Sequence, residues 1–585
     1  MVFRYLGKGG WALIAVLACL IMGQAYLDIS IPGYMNDMTD AIQEQVVSGD
    51  SSDSAVTENG VKMIAAALLS LILAVLASTV AARIGASLGS TLRRTEFAKV
   101  QSFSEEDMNT FSAASLATRS TNDVYQLMQF TARGLTLMIK APLTAAFAIV
   151  MISGKHWEWT AATAAAVAVL ISVTIFTTYF LVPRFKRIQW LTDGVNRAAR
   201  EELEGLRTIR AYGTEAVQRK KLDTASDELL DNNISVVHAM APMHPIFSSV
   251  SNFLTLAIYW IGAGIIASSS GTGAKMSEFS DMVVFTSYAS QIISAFMMMN
   301  GVVRMFPRAM VASRRVEEVI SHEPSVKDGP RESGESGKEG TVEFRHVSFT
   351  YPGSDAAALT DISFSVGKGE TIAFIGPTGS GKSSIAGLIP RLYDPDSGQV
   401  LVDGTDVREF RQTSLHSRIG YVPQDAVIFT GTIRENVGYG GNGGNRSEAE
   451  IREALDIAQA SEFVNASPDG LDTRISQYGR NISGGQKQRV CIARAVCMRP
   501  EIYVFDDSFS ALDFKTDLAL RESLRKNTEG ATRIIIAQRV GTIMDADRIA
   551  VVDGGRIVGL GTHGQLMESC PIYRSIAESQ LAGGP

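Results

Sequence analysis

The chain has 585 residues, 46% of them hydrophobic and 20% charged, below the ~25% charge of an average soluble protein. At roughly 100–200 residues per domain this is several domains' worth of chain. Apolar runs long enough to cross a bilayer recur along it, which argues against a purely soluble enzyme. With 54 basic against 61 acidic residues the net charge is −7, so no basic field points to nucleic acid, and the apolar content excludes a disordered chain.

Arg4 and Lys8 precede the first apolar run, but no A-x-A-like cleavage site follows, so the run is predicted as a membrane helix and not as a signal peptide. Nearly uncharged runs at about residues 11–35 (interrupted by Asp28), 63–82, 134–154 (interrupted by Lys140), 160–183, 239–274 and 283–303 predict six spans. The connection from Tyr34 to Gly60 carries six acidic residues and no Arg or Lys, whereas those around Arg93-Arg94-Lys99 and from Arg184 to Lys221 are basic. By the positive-inside rule both termini are cytoplasmic. The basic connections are long and the outer loop near Lys155 to Trp157 is short, so the helices are expected to continue into the cytoplasm as a platform for a partner domain.

An acid inside a span is costly, so Asp28 is read as functional or as paired with a base. Phe296 and Met298 in the sixth span offer soft surface for varied apolar ligands. With Asp28 they are the candidate cargo-cavity residues. Lys140, before Pro142 and beyond Arg133, is assigned to the cytoplasmic end of the third span. Cys19, Cys491, Cys497 and Cys570 are too few and too scattered for a disulfide framework or a zinc site, and are read as packing thiols.

The stretch 321–340 is polar, rich in Gly, Pro, Ser and Glu, and has no apolar period; it reads as a linker. The expected organisation is a membrane domain over 1–320, the linker over 321–340 and a soluble domain over 341–585. The soluble part alternates short β-rich runs with helical stretches, as an α/β nucleotide-binding domain with a mainly parallel sheet does.

The run Gly376-Pro377-Thr378-Gly379-Ser380-Gly381-Lys382-Ser383 follows a β-rich segment and leads through Ser384 into a helix-like stretch, the context and pattern of a phosphate-binding loop. Such glycines let backbone N–H groups converge on phosphates, the lysine contacts the β- and γ-phosphates, and the serine is a Mg²⁺ ligand. Ile502 to Asp506 is an apolar strand ending in the carboxylate that a Walker B strand needs to hold Mg²⁺.

Upstream of that strand lies Asn481-Ile482-Ser483-Gly484-Gly485-Gln486. In this order the two segments resemble the signature and Walker B motifs of the ATP-binding cassette (ABC) transporter family. The resemblance covers nearly the whole chain: six spans, a linker and one nucleotide domain, the layout of an exporter-type half-transporter. It implies a multidomain membrane protein with an all-α six-helix transmembrane domain of the ABC exporter type, followed by an α/β P-loop ATP-binding cassette domain. ATP and Mg²⁺ are the implied ligands. Tyr351 resembles the aromatic that stacks on adenine, Gln424 the glutamine that reaches Mg²⁺, and Ser510-Ala511-Leu512-Asp513 the D-loop. Glu204 to Glu215 resembles the second cytoplasmic loop, with its coupling helix near Ala211 to Glu215, and the first loop is matched around Met108 to Ser112.

Two positions depart from the family. Asp507 stands where a glutamate usually orients and deprotonates the attacking water, and Gln538 where the switch histidine usually stands. The carboxylate is one methylene shorter, and an amide cannot be cationic or shuttle a proton. Family members close two nucleotide domains head to tail, so the intact Ser483-Gly484-Gly485-Gln486 motif would complete a competent site on a different half-transporter. The expectation is therefore a heterodimer in a bacterial cytoplasmic membrane. Its partner has an intact Walker B glutamate and switch histidine, its surroundings are membrane lipid, and its cargo is an exported drug-like, lipid or peptide molecule. Uptake of a siderophore-like ligand and a non-hydrolysing regulatory subunit are the alternatives.

Overall fold

The structure is a computed structural model that describes residues 2–48, 54–440 and 446–581. Its contacts gather into two units: residues up to Val100 with Ala114–His322, and Gln101–Ala113 with Glu323 onward.

In the first unit, six helices among the described residues are long and apolar enough to cross a membrane: Arg4–Ile42, Ser54–Val100, Ala113–Ile152, Trp157–Glu204, Glu215–Ser268 and Thr272–Ser321. The last has 50 residues, ~75 Å at 1.5 Å per residue against a hydrocarbon core of ~30 Å, so more than half of it lies outside the bilayer. The first span buries Leu17, Ile21, Ala25 and Ile29, one stripe at every fourth residue. The second meets the third where Gly85 and Gly89 leave room for Met128: a Cβ at Gly85 would stand 2.8 Å from the Met128 carbonyl oxygen. Small residues at such crossings let apolar helices approach closely in lipid. The third span contains π-helical turns at Arg119–Asp123 and Phe130–Gly134. In the second cytoplasmic loop the short helix is Leu206–Tyr212, closed by Gly213 in the left-handed region. This lies upstream of the expected Ala211 to Glu215, because glycine at φ 62 stops one helix and the next starts at Glu215.

The second unit is built on a six-stranded sheet and a four-stranded antiparallel sheet. In the larger sheet the parallel strands Ile419–Val422, Ile502–Asp506, Thr532–Ile536 and Thr371–Ile375 are neighbours in that order. Period-two alternation feeds both faces: Ile372, Phe374, Ile502 and Val504 enter one apolar cluster, Ala373, Ile375, Tyr503 and Phe505 the other. Both faces are covered, which is why these strands read as continuous apolar runs.

The 321–340 stretch, read as a linker, is a strap on this unit from Glu323 onward. Gly329 N–H donates to the Phe410 carbonyl at 2.9 Å, Arg411 N–H to the Arg331 carbonyl at 2.7 Å, and Glu335 N–H to the Asp403 carbonyl at 2.8 Å, while Val326 is buried. Polar composition hid this attachment because it is made by backbone groups and by charged side chains, such as Glu332 with Arg411, whose partners lie far along the chain. The first-loop helix Glu105–Phe111 belongs to the same unit. Ser104 caps it and shares a 2.6 Å hydrogen bond with Ser325, and Asn109 Nδ2 reaches the Tyr393 hydroxyl at 3.5 Å.

Candidate functional site

Four adjacent parallel strands end on one edge of the sheet, the place where open α/β sheets bind ligands. After Ile375 comes the phosphate loop, after Ile536 comes Gln538, at the end of Ile502–Asp506 come Asp506 and Asp507, and after Val422 comes Gln424. The residues singled out in the sequence are brought together by strand order, not by proximity along the chain.

Gly381 enters the helix Lys382–Leu388 at φ +99, where a Cβ would stand 2.5 Å from the Ala358 carbonyl oxygen, so this corner is open only to glycine. Lys382 Nζ donates to the carbonyls of Gly376 at 2.9 Å and Pro377 at 2.7 Å and to Ser380 Oγ at 3.3 Å, folded over the loop that carries Thr378 and Gly379. Burial lowers its pKa, and the Asp507 and Asp506 carboxylates oppose that. Ser383 Oγ donates to Asp506 Oδ1 at 2.9 Å. A hydroxyl and a carboxylate this close are two hard oxygen donors of the kind Mg²⁺ takes alongside phosphate oxygens, so these two residues fit the ion. Gln424 is exposed beyond its strand.

Asp507 sits at φ 47 with 8% of its surface exposed. Its N–H donates to the Ile536 carbonyl at 3.0 Å and its own carbonyl accepts from Ser510 Oγ at 2.9 Å. Gln538 Nε2 donates to Asp507 Oδ2 at 2.8 Å. Burial raises the pKa of Asp506 and of Asp507. The two family departures thus meet each other inside the site.

The Tyr351 hydroxyl is 2.9 Å from Ser384 Oγ, and its ring lies edge-on to Phe349 at 4.8 Å and to Tyr393 at 5.4 Å. Tyr393 was not foreseen. Only its contacts with Phe349 and Tyr351 mark it, and burial together with Glu105 pushes its phenol up to about 12. Ser483 caps the helix Gly484–Met498 through a capping box with Gln486, leaving Ser483 and Gly484 exposed, and a Cβ at Gly485 would stand 3.2 Å from the Ala511 carbonyl oxygen of the D-loop. Leu512 is buried, and Asp513 caps the helix Phe514–Asn527. Among the described residues no hydrogen bond joins Ser483 or Gln486 to Tyr351, Lys382 or Asp506. The signature presents itself outward.

In the membrane unit Asp28 is paired. Its Oδ2 lies 3.3 Å from Lys140 Nζ, and Ser70 donates its hydroxyl to Oδ1. Lys140 therefore reaches into the bundle and does not mark the cytoplasmic end of its span. The signal was a lone base and a lone acid inside two apolar runs. Phe296 is half-buried, edge-on to Phe247 at 6.3 Å, and Met298 is half-buried. Cys491, Cys497 and Cys570 are buried and Cys19 is exposed, all four as free thiols.

Family models for the ABC transporter transmembrane region and the ABC transporter domain match residues 13–296 and 359–510. An uncharacterized ABC transporter ATP-binding protein of Mycobacterium tuberculosis is 37% identical over 97% of this chain and 96% of its own length. The uncharacterized YfiB of Bacillus subtilis is 36% identical over 89% of each, and an ATP-dependent lipid A-core flippase of Photobacterium profundum is 29% identical over 84% of this chain and 82% of its own. A bacterial Atm1-family ABC exporter with ATP bound has a similar structure, with TM-score 0.78 and 25% identity over 98% of this chain and 99% of that one. The chain belongs to the ABC transporter family, as an exporter-type half-transporter with a six-span membrane domain and one nucleotide-binding domain.

Proposed function

We propose that this chain is one half of a heterodimeric exporter that moves amphipathic drug-like, lipid or peptide cargo outward across the bacterial cytoplasmic membrane by alternating access. Its own nucleotide site retains ATP, and turnover takes place at the partner's site. The observation that carries this reading is the 2.8 Å hydrogen bond between Gln538 and Asp507. The short carboxylate is held by an amide that cannot take a proton, so the pair leaves the attacking water without a free base.

Binding does not need that base. Lys382 and the phosphate loop hold the phosphates, Ser383, Asp506 and Gln424 hold Mg²⁺, and Tyr351 covers the adenine. Bound there, the ion would supply neutralisation of the phosphate charge. The exposed Ser483 hydroxyl and Gly484 N–H, at the start of a 15-residue helix, offer donors and the positive end of the helix dipole to the γ-phosphate of the partner's ATP. Outward direction is supported by the likeness to an exporter and to a flippase.

The test is to purify the complex from native membranes on a tagged copy of this chain, establish its stoichiometry, and measure ATPase with and without substitution of the partner's Walker B glutamate. A one-to-one complex silenced by that single change supports the proposal. A homodimer that hydrolyses ATP well overturns it.

A further inference from the structure

Asp28 and Lys140 form an ion pair deep inside the membrane unit. Lys140 is fifteen residues from Lys155 in the outer turn, and Gln291 is ten residues past Asp281, which pairs with that lysine. At 1.5 Å per residue the pair lies ~15–20 Å below the turn. Four spans converge on it: Asp28 from the first, Ser70 from the second, Lys140 from the third, and Gln291 from the sixth, whose Nε2 donates to the Asp28 carbonyl at 3.4 Å.

The pair is not sealed into the packed interior. The Lys140 side chain is 21% exposed and that of Asp28 33%. Charged groups within spans characteristically face a bundle interior or a water-filled cavity and not acyl chains, and the exposure of this pair leaves it open to such a space.

Donor and acceptor capacity are unequal across the pair. Both Asp28 carboxylate oxygens have a partner, Ser70 at one and Lys140 at the other. The Lys140 ammonium carries three N–H groups, and the described residues supply one acceptor, at the long distance of 3.3 Å. One turn further along the third span, Thr144 is 5% exposed and its hydroxyl finds no hydrogen-bond partner among the described residues. The unmet demand is for an acceptor carrying negative charge, and the surrounding spans are apolar.

We propose that Lys140 is the cargo-recognition point of this half-transporter: it takes the anionic head group of an amphiphile, a carboxylate or a phosphate, which displaces the Asp28 carboxylate while the apolar tail lies along the spans. Asp28 is the internal competitor that holds the lysine in place between cargo molecules. This rests on the reading of the chain as an exporter of amphiphiles, and it narrows the cargo to acidic ones.

Opposite-signed effects of the two charges test it. The whole purified complex, in an uncharged detergent and without nucleotide, is titrated with three pyrene-labelled probes of equal tail length: a fatty-acid carboxylate, an alkyl phosphate and an alkyl trimethylammonium. The expected result is tighter binding of at least one anionic probe than of the cation. Lys140→Gln should weaken that binding by ~10-fold, as loss of a charge-assisted hydrogen bond does, with Lys140→Arg close to wild type. Asp28→Asn should strengthen it by several-fold by removing the competitor. A difference between carboxylate and phosphate identifies the head group.

Should a single variant fail to fold, the exchange of the two charges, Asp28→Lys with Lys140→Asp, keeps the pair and should lose the anion preference. The proposal is overturned if the wild type binds no anionic probe above the detergent background, if both neutral variants move affinity in the same direction, or if the exchanged pair keeps the preference; the two residues are then a structural lock between spans. The readout needs neither hydrolysis nor a particular partner, so it can fail while the asymmetric ATPase reading stands, and stand while that reading fails.

Discussion

Gln538 donates its side-chain amide to the Asp507 carboxylate at 2.8 Å, just beyond the point where Ile536 and Asp506 face each other in register on adjacent parallel strands. Register therefore delivers the two unusual residues to the same spot. If they are what disables this site, restoring both should revive it. With the partner's Walker B glutamate substituted, Asp507→Glu combined with Gln538→His should raise phosphate release by at least ~10-fold, since a reach defect near 1 Å can cost on the order of 10²-fold. Asp507→Glu alone should give less, because the amide still holds the carboxylate. No gain from the double variant refutes the account.

Lys382 and Tyr351 should separate in their contributions to nucleotide affinity. Lys382→Ala removes the ammonium that folds over the phosphate loop and should weaken binding of a fluorescent ATP analogue by ~10–100-fold. Tyr351→Ala should cost ~5-fold, the worth of one aromatic stack. Tyr351→Phe loses only the bond to Ser384 and should bind within about twofold of wild type. Equal losses for Phe and Ala would show that the hydroxyl, not the ring, makes the contact.

The outward-facing signature should act on another chain's ATP. Ser483→Arg fills the exposed helix N-terminus with bulk and charge. It should leave ATP affinity at this chain's own site within about twofold and lower the ATPase of the assembled transporter by ~10-fold or more. Unchanged turnover would mean that the helix end faces no nucleotide.

A pH test concerns Asp403, which links the 321–340 strap to the nucleotide domain. It is 2% exposed and accepts from Gly340 N–H at 2.7 Å. Burial pushes its pKa up to about 6, from 3.8. The folded state then holds a proton that the unfolded chain has already released, so this residue's contribution to stability falls as pH rises from about 4 to 6 and is flat above. Asp403→Asn keeps an acceptor for Gly340 and should remove that slope from denaturation midpoints measured between pH 4 and 7. A slope that survives the substitution assigns it to another group.

Residue identity alone pointed to an ATP-binding domain, and the family match agrees. Lys382, Ser383 and Asp506 sit in a chemically distinctive pattern, glycines such as Gly381 are demanded by local backbone geometry, and the six apolar spans follow from the cost of placing peptide groups in lipid. The absence of the usual glutamate and histidine was equally plain at Asp507 and Gln538, since a missing methylene or proton carrier is a local property.

The tertiary structure decided the relations that depend on distant backbone. The polar strap of 321–340 is attached through main-chain bonds and through side-chain bonds with distant residues such as Arg411 and Asp403, which composition does not encode. Tyr393 joins the aromatic group around Tyr351 only because the strand Val342–Phe349, which leads into Tyr351, folds beside it. Lys140 was placed at a span's end by its neighbours in sequence, yet the crossing of the first and third spans sets it against Asp28. A charge inside a membrane helix announces that it needs a partner; which partner it finds is fixed by helix packing, a long-range property that no local pattern contains.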